Sequence, residues 1–506
     1  MKKLLNIGNS VFFVLTVFWL YFALYFLYQF LSIDFTNLNS FIATFLLYLT
    51  GFIFFIFHFK QKVFILLKKL VNIIYRYKLI TFCILIIFQL FLTLTSLGLA
   101  SADTSIIYNI ATNHSFSMET DYLSFFPNNF FLILWFKLNY LFFSNNTILA
   151  LAIWNIIFID SSIYFVAKTN ELLYKNTSAK IAFVLMILII GVSPQYIYTY
   201  SDSITLFLLS FAILMLSISL KMNNIIYILF SGITFGIAFG FRPTVMIPII
   251  AIALVFMIGV VQKKITKHLF IFSLIFVISF SGVVVSNKLL LKSQKIVKYE
   301  EQKNRTLLYF VNLGLTYSGN NHGEISNDVL ESEGDNRNSE ALKEIDERLD
   351  NYKYESFIGH LYYKYYWMIG EGMFGWVQER VLSEKQLISN SLISKFQHSR
   401  IAALVRSYVY VDGVNYLLYP MFIQFVWIII TVGLIISTFN FKSSNFFLLS
   451  SELAIFGGLL FLFIFEAGRT RYLIQFLPFI ITLSSSGIDY LITNWLNYSK
   501  KENISD

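Results

Sequence analysis

Apolar stretches of about 18 residues or more recur along nearly the whole sequence, and as helix each can cross a hydrocarbon core of roughly 30 Å. A segment inside that core must satisfy its own backbone N–H and C=O groups, so only helices and closed barrels are admissible there. The stretches are continuous rather than alternating in polarity, which selects helices. Composition agrees: of 506 residues, 57% are hydrophobic, 19% aromatic and only 13% charged, far from a soluble average. The chain is therefore expected to be an all-α polytopic membrane protein with about twelve transmembrane helices. They fall at about 10–31, 40–59, 79–98, 147–167, 181–198, 203–220, 224–241, 245–261, 268–290, 416–438, 446–465 and 473–492.

The formal net charge of +9 does not call for nucleic acid, because membrane chains concentrate Lys and Arg in cytoplasmic loops. Here the basic residues gather at Lys2 and Lys3, along Lys60 to Lys78, at Lys168, Lys175 and Lys180, at Lys221, at Lys263, Lys264 and Lys267, at Lys442, and at Lys500 and Lys501. These are alternate loops, so both termini are expected in the cytoplasm. Phe130 to Phe143 is apolar but short and contains Lys137 and Asn139. A span there would invert the charge pattern of every later loop, so it is read as a juxtamembrane or re-entrant helix. Lys2 and Lys3 precede an apolar run too long for a cleavable signal peptide, with no small-residue cleavage site, and the first helix is expected to be a retained anchor. The lone Cys83 has no intrachain disulfide partner.

The division that follows is 1–78 for two N-terminal helices and a basic loop, 79–290 for a membrane module with an outer loop at 99–146, 291–415 for a large extracytoplasmic loop, and 416–506 for the last helices. Within the large loop SEALKEIDERLDNY has helical i,i+4 charge pairing. YYKYYWMIGEGMFGW, with Tyr362, Tyr363, Tyr365, Tyr366, Trp367 and Trp376, reads as a headgroup-level anchor or as a sugar-stacking surface.

Charge at membrane depth costs about 2.5–3.5 kcal/mol on insertion scales, so the charged residues beside the spans need a reason. Asp103 closely follows a span, Asp202 lies in YTYSD, Arg242 lies in FGFRPT, and Glu466, Arg469 and Arg471 crowd into EAGRTRY. The charge topology assigns all of them to the extracytoplasmic side. Asp103 and Asp202 also fit simple helix N-caps, Arg242 a turn before Pro243, and Glu466 with Arg469 or Arg471 a local ion pair. As a group, two carboxylates and three guanidinium groups on one face suit a phosphorylated lipid and a hydroxyl acceptor, since the planar Arg fork donates hydrogen bonds in pairs to phosphate. Asp160, inside a span, reads as structural. His114 and His322 read as solvated loop residues. No HExxH, P-loop or GxGxxG pattern is present, so no nucleotide site and no cofactor is expected, while a divalent metal stays open.

The order YLSFFPNNF, YTYSDSITL, FGFRPTVMIPIIAIAL, NLGLTYSGNNHGEISNDV, YYKYYWMIGEGMFGW and FEAGRTRYLIQFLP resembles bacterial integral membrane glycosyltransferases of the GT-C superfamily. It looks most like the Gram-positive cell-surface polysaccharide branch, related to the protein mannosyltransferase and aminoarabinose transferase type. The resemblance runs from about residue 79 onward. It implies a GT-C core with surface-lying helices in the first outer loop and an active site at the outer leaflet. It further implies a polyprenyl-phosphate-linked sugar donor, a cell-surface glycan or lipid-linked acceptor, inversion at the anomeric carbon, and Asp103 as the catalytic base. Many relatives carry an acidic pair at this point. Here Thr104 follows Asp103, which leaves Glu119 and Asp121 as candidate second carboxylates. Asp202, Arg242, Glu466, Arg469 and Arg471 are the candidate substrate-binding residues. A polysaccharide polymerase or ligase and a lipid-linked glycan flippase are the alternatives.

Overall fold

The computed structural model describes residues 2–32, 62, 65–100, 103–317, 319, 322–376, 382–416, 418–442, 444–465 and 468–505. The expected span at 40–59 and Glu466 lie outside the described residues. Within them the regular structure is helical, with an isolated antiparallel bridge between Gly98 and Leu387. The helices used below are α1 (Lys2–Ser32), α2 (Lys78–Ser96), α3 (Asp103–Thr112), α4 (Phe130–Phe143), α5 (Thr147–Leu173), α6 (Asn176–Met186), α7 (Ser201–Met222), α8 (Ile225–Phe241) and α9 (Met246–Val261). They continue with α10 (Lys267–Ser293), α11 (Leu307–Gly314), α12 (Gly334–Asn351), α13 (Tyr354–Ile369), α14 (Arg400–Val409), α15 (Leu418–Phe439), α16 (Phe446–Phe465) and α17 (Leu477–Ser505).

Nine helical stretches among the described residues are long and apolar enough to cross a membrane, and two more, Asn176–Gly191 and Ile225–Phe241, are shorter. The expected span at 181–198 is cut short for a local reason. Its helix loosens into a π turn at Ile187–Gly191, and Pro194, which has no N–H to donate, opens a tight turn at Pro194–Ile197. Phe130–Phe143 is a separate helix that ends at Ser144, where φ is 47°. The chain then folds back, bringing Trp135 within 5.7 Å of Trp154 and 6.0 Å of Phe158.

From α5 onward successive long helices reverse direction. The connections carrying Lys175, Lys264 and Lys442 lie at one end of the bundle, where Lys175 reaches Asp489, Asn440 reaches Tyr174 and Lys264 lies over Phe446. The starts of α7, α9 and α17 lie at the other, where Arg242 meets Asp202 and Thr244 meets Gln475. Helices α15 and α17 approach closely through small residues. A Cβ on Gly487 would sit 2.0 Å from the Gly433 carbonyl oxygen, and one on Gly433 would sit 2.3 Å from Ser484 Oγ. Small residues permit such contact where lipid gives helices no hydrophobic reason to associate. Gly487→Leu is expected to destabilise the protein by about 1–3 kcal/mol or more through overpacking, read as a lower thermal midpoint in detergent. An unchanged midpoint would contradict this packing.

Buried amides fasten the irregular backbone between α6 and α7. Gln89 Nε2 donates to Asp160 Oδ1 and to the Gly191 carbonyl, both at 2.9 Å. Asn155 Nδ2 donates to the carbonyls of Tyr196 and Tyr198 at 3.2 and 3.0 Å. Asp160 is thus part of the scaffold that sets where Tyr198, Tyr200 and Asp202 emerge.

The segment SEALKEIDERLDNY, residues 339–352, is helical within α12 up to Asn351, as its charge spacing predicts. The aromatic segment is divided: Tyr362 and Tyr363 are exposed, as an anchor would be, whereas the other face of α13 packs into the bundle. Tyr366 stacks on Phe26 at 4.7 Å, Tyr365 OH donates to the Leu15 carbonyl at 2.8 Å, and Trp427 Nε1 donates to the Ile369 carbonyl at 2.8 Å. Trp376 is fully buried and donates to the Val409 carbonyl at 3.0 Å. Aromatic rings with a polar handle suit a core as well as a headgroup layer when a buried carbonyl accepts from that handle.

Candidate functional site

At the end of the bundle opposite Lys175, Lys264 and Lys442, a cavity of about 390 Å³ opens between the start of α3, the starts of α7 and α9, α11 and the segment before α17. Its polar lining includes Asp103, Tyr200, Ser201, Arg242, Arg305, His322, Arg469 and Arg471, and Phe310, Leu313, Phe461, Leu462 and Phe465 form an apolar wall.

Asp103 is the first residue of α3 and faces this space. Tyr200 OH donates to Asp103 Oδ2 across 3.5 Å. The Tyr122 hydroxyl interacts electrostatically with this carboxylate and accepts from Asn129 Nδ2 at 2.7 Å. Burial, then the neighbouring Tyr200 and Asp103, hold the Tyr122 phenol well above the ordinary tyrosine range, so it remains a donor.

Asp202 is in the first turn of α7, but the helix N-cap is Tyr200 and the Asp202 side chain caps nothing. It meets Arg242 Nη2 at 2.6 Å through Oδ1 and lies 3.9 Å from Arg471 Nε through Oδ2, with all three side chains buried. Arg242 ends α8, where Pro243 prevents the helix continuing, and its Nε donates to Ser201 Oγ at 2.8 Å. Arg471 Nη1 donates to Tyr198 OH at 3.0 Å. Both guanidinium groups lie over the Tyr200 and Tyr472 rings at 5.3–5.8 Å. Asp202, Arg242 and Arg471 thus form one buried, ring-supported network. The loop carrying Arg469 and Arg471 is held by fully buried Glu371, whose Oε1 accepts from Thr470 Oγ1 at 3.1 Å and from the Gly375 N–H at 2.5 Å.

Glu119 and Asp121 stand apart from the cavity. Glu119 is exposed. Asp121 is clamped by Lys298 at 2.8 Å and Lys303 at 3.2 Å, and these ammonium groups, Lys298 first, hold its carboxyl below the usual range. The clamp joins the Tyr122–Phe125 turn to the start of the large loop.

Two cavity residues carry no mark in the sequence. Arg305 lies over Phe125, Phe126 and Tyr309 at 5.2, 4.6 and 4.7 Å. His322 shares a 2.7 Å hydrogen bond with Tyr309 OH; the residue keeps an exposed edge, and partial desolvation of the ring followed by Arg305 and Arg469 pushes its pKa down, leaving the ring neutral at pH 7. Arg305 hides in a stretch rich in Lys and Glu, and His322 resembles any polar loop histidine. Among the described residues no three His, Cys, Asp or Glu side chains gather as a ligand cluster. Chemically the cavity offers a carboxylate with a phenol donor, several guanidinium groups for an anion, and an apolar flank for a chain.

The family described as conserved hypothetical integral membrane protein matches residues 1–490. The chain belongs to that family. As a member of this integral membrane family it is a multi-pass protein, in keeping with its apolar helices. No curated protein matches the sequence. Among solved structures the chain is similar to the apo crystal structure of the oligosaccharyltransferase of Archaeoglobus fulgidus, with 14% identity and a TM-score of 0.40. The similarity covers 83% of this chain and 52% of the archaeal one, so the chain spans about half the length of that enzyme.

Proposed function

We propose that this protein is an inverting glycosyltransferase that moves a sugar from a polyprenyl-phosphate donor to a cell-envelope glycan at the outer face of the membrane. The observation that carries the reading is the meeting of Asp103 with Arg242, Arg469 and Arg471 around one cavity that also has an apolar wall. The acceptor hydroxyl oxygen attacks the anomeric carbon and its proton passes to the Asp103 carboxylate. The bond from that carbon to the phosphate oxygen breaks, and its electron pair leaves with the polyprenyl phosphate. Arg469 and Arg471 are the first residues assigned to the departing phosphate, with Arg242 next and Asp202 orienting the pair. The apolar wall suits the first isoprene units. Basic connections at the opposite end favour an extracytoplasmic cavity. In this reading residues 79–290 form the catalytic membrane module, and 291–415 closes over it with Arg305 and His322.

Losing one preorganised donor to the phosphate typically costs about 10²–10³-fold in rate. Arg469→Ala and Arg471→Ala should therefore impair turnover of a polyprenyl-phosphate hexose, and unchanged donor kinetics in both would remove them from the phosphate site. The reading itself is tested by mass analysis of envelope glycans from cells lacking the protein. Loss of one sugar from an otherwise intact glycan is the expected result. Loss of whole repeats would favour a polymerase, and an unaltered glycan would overturn the proposal.

A further inference from the structure

We propose that Arg305, assisted by His322, binds an anionic group on the acceptor, so that the acceptor is an acidic glycan bearing a phosphate or a carboxylate. The inference rests on the glycosyl-transfer reading above and names the substrate class of the same cavity.

The positive charge around Asp103 is divided. One group is Arg242 and Arg471, which share Asp202 and lie over Tyr200, the residue whose hydroxyl reaches Asp103. The other is Arg305, over the rings of Phe125, Phe126 and Tyr309. Phe126 in turn packs at 5.2 Å against Tyr122, whose phenol interacts electrostatically with Asp103. Asp103 thus shares its cavity with two cationic poles that are built on different tyrosines.

The two poles differ in what they lack. Arg242 has a carboxylate at 2.6 Å. Arg305 makes no ion pair with a described carboxylate, and the rings beneath it support its charge without accepting its five N–H donors in the plane of the guanidinium. A half-buried guanidinium with open donors in a cavity is a site for an anion. His322 stacks on Tyr309 and lines the same cavity, where its neutral ring has a second nitrogen available to a ligand.

A donor linked through one phosphate brings one anionic group. Nucleophile and leaving group occupy opposite faces of the anomeric carbon in an inverting displacement. When the donor phosphate fills the pole formed by Arg469, Arg471 and Arg242, Arg305 is left for the acceptor. An anionic substituent gripped there would orient the attacking hydroxyl toward the base.

The test uses the full chain in detergent and measures binding without turnover. The probes are farnesyl phosphate for the donor side, and matched oligosaccharides carrying glucuronate, sugar phosphate or no charge for the acceptor side. Wild-type protein should bind one acidic oligosaccharide at least about tenfold more tightly than the neutral one, and the two acidic probes distinguish carboxylate from phosphate. Arg305→Gln should abolish that preference while farnesyl phosphate binding stays within about twofold, and Arg305→Lys should restore part of it. His322→Gln should reduce the preference less. Absence of any acidic preference in the wild type, or its persistence in Arg305→Gln, would overturn the proposal. So would an Arg305→Gln effect confined to farnesyl phosphate, which would move Arg305 to the lipid side. If the wild type ignores farnesyl phosphate yet keeps an Arg305-dependent acidic preference, the donor reading fails and the acidic-glycan site stands.

Discussion

Asp103→Asn is expected to reduce sugar transfer by about 10²–10⁴-fold, the usual contribution of a positioned general base. The substitution is nearly isosteric, and its amide oxygen can still accept from Tyr200 OH, which donates to the carboxylate. What it loses is the ability to take a proton. Binding of farnesyl phosphate and the thermal midpoint in detergent should therefore stay close to wild type, while single-turnover transfer collapses at saturating donor. One neighbour sharpens the experiment. Tyr200→Phe removes a long 3.5 Å hydrogen bond and leaves the base in place, so its effect should be far smaller than that of Asp103→Asn. Full turnover by Asp103→Asn would end the base assignment and, with it, the mechanism.

Much of the architecture was legible because its cause is local. An apolar window of membrane length needs no partner to be recognised. Helix reversals then bring residues from distant windows to a common end, which is why Asp103, Arg242, Arg469 and Arg471 meet at one cavity although separated by hundreds of positions. Contributions whose meaning is tertiary stayed hidden. Arg305 is one basic residue in a run of charges, and only the rings of Phe125, Phe126 and Tyr309 distinguish it. Tyr365 and Tyr366 have the composition of a membrane-surface segment, and the acceptors that draw them inward, the Leu15 carbonyl and Gln29 Oε1, lie over 330 positions away. Asp202 fits a helix cap by sequence, yet its carboxylate faces Arg242. Asp121 was a candidate second carboxylate because it is near Asp103 in sequence, but Lys298 and Lys303 engage it outside the cavity.

Asp202→Ala is expected to destabilise the protein by about 3–5 kcal/mol, because removing one partner of a buried ion pair strands the other charge. The stranded group is Arg242, with its side chain 9% exposed and its Nη2 2.6 Å from Asp202 Oδ1. Arg471, 3.9 Å away on the second oxygen, loses the same counter-charge. The loss should appear as a large drop in thermal midpoint and as weaker binding of farnesyl phosphate, since both guanidinium groups lose the carboxylate that holds their orientation. The double variant Asp202→Ala/Arg242→Ala decides between a charge effect and a simple packing defect. If stranded charge dominates, the double variant should be more stable than Asp202→Ala alone, because the uncompensated guanidinium is gone. If packing dominates, the two losses should accumulate. A phosphate bound to Arg242 and Arg471 would partly replace the missing carboxylate, so farnesyl phosphate at saturating concentration should raise the midpoint of Asp202→Ala more than that of the wild type. Equal shifts would separate this ion network from the phosphate site and leave Arg469 as the principal residue for the donor.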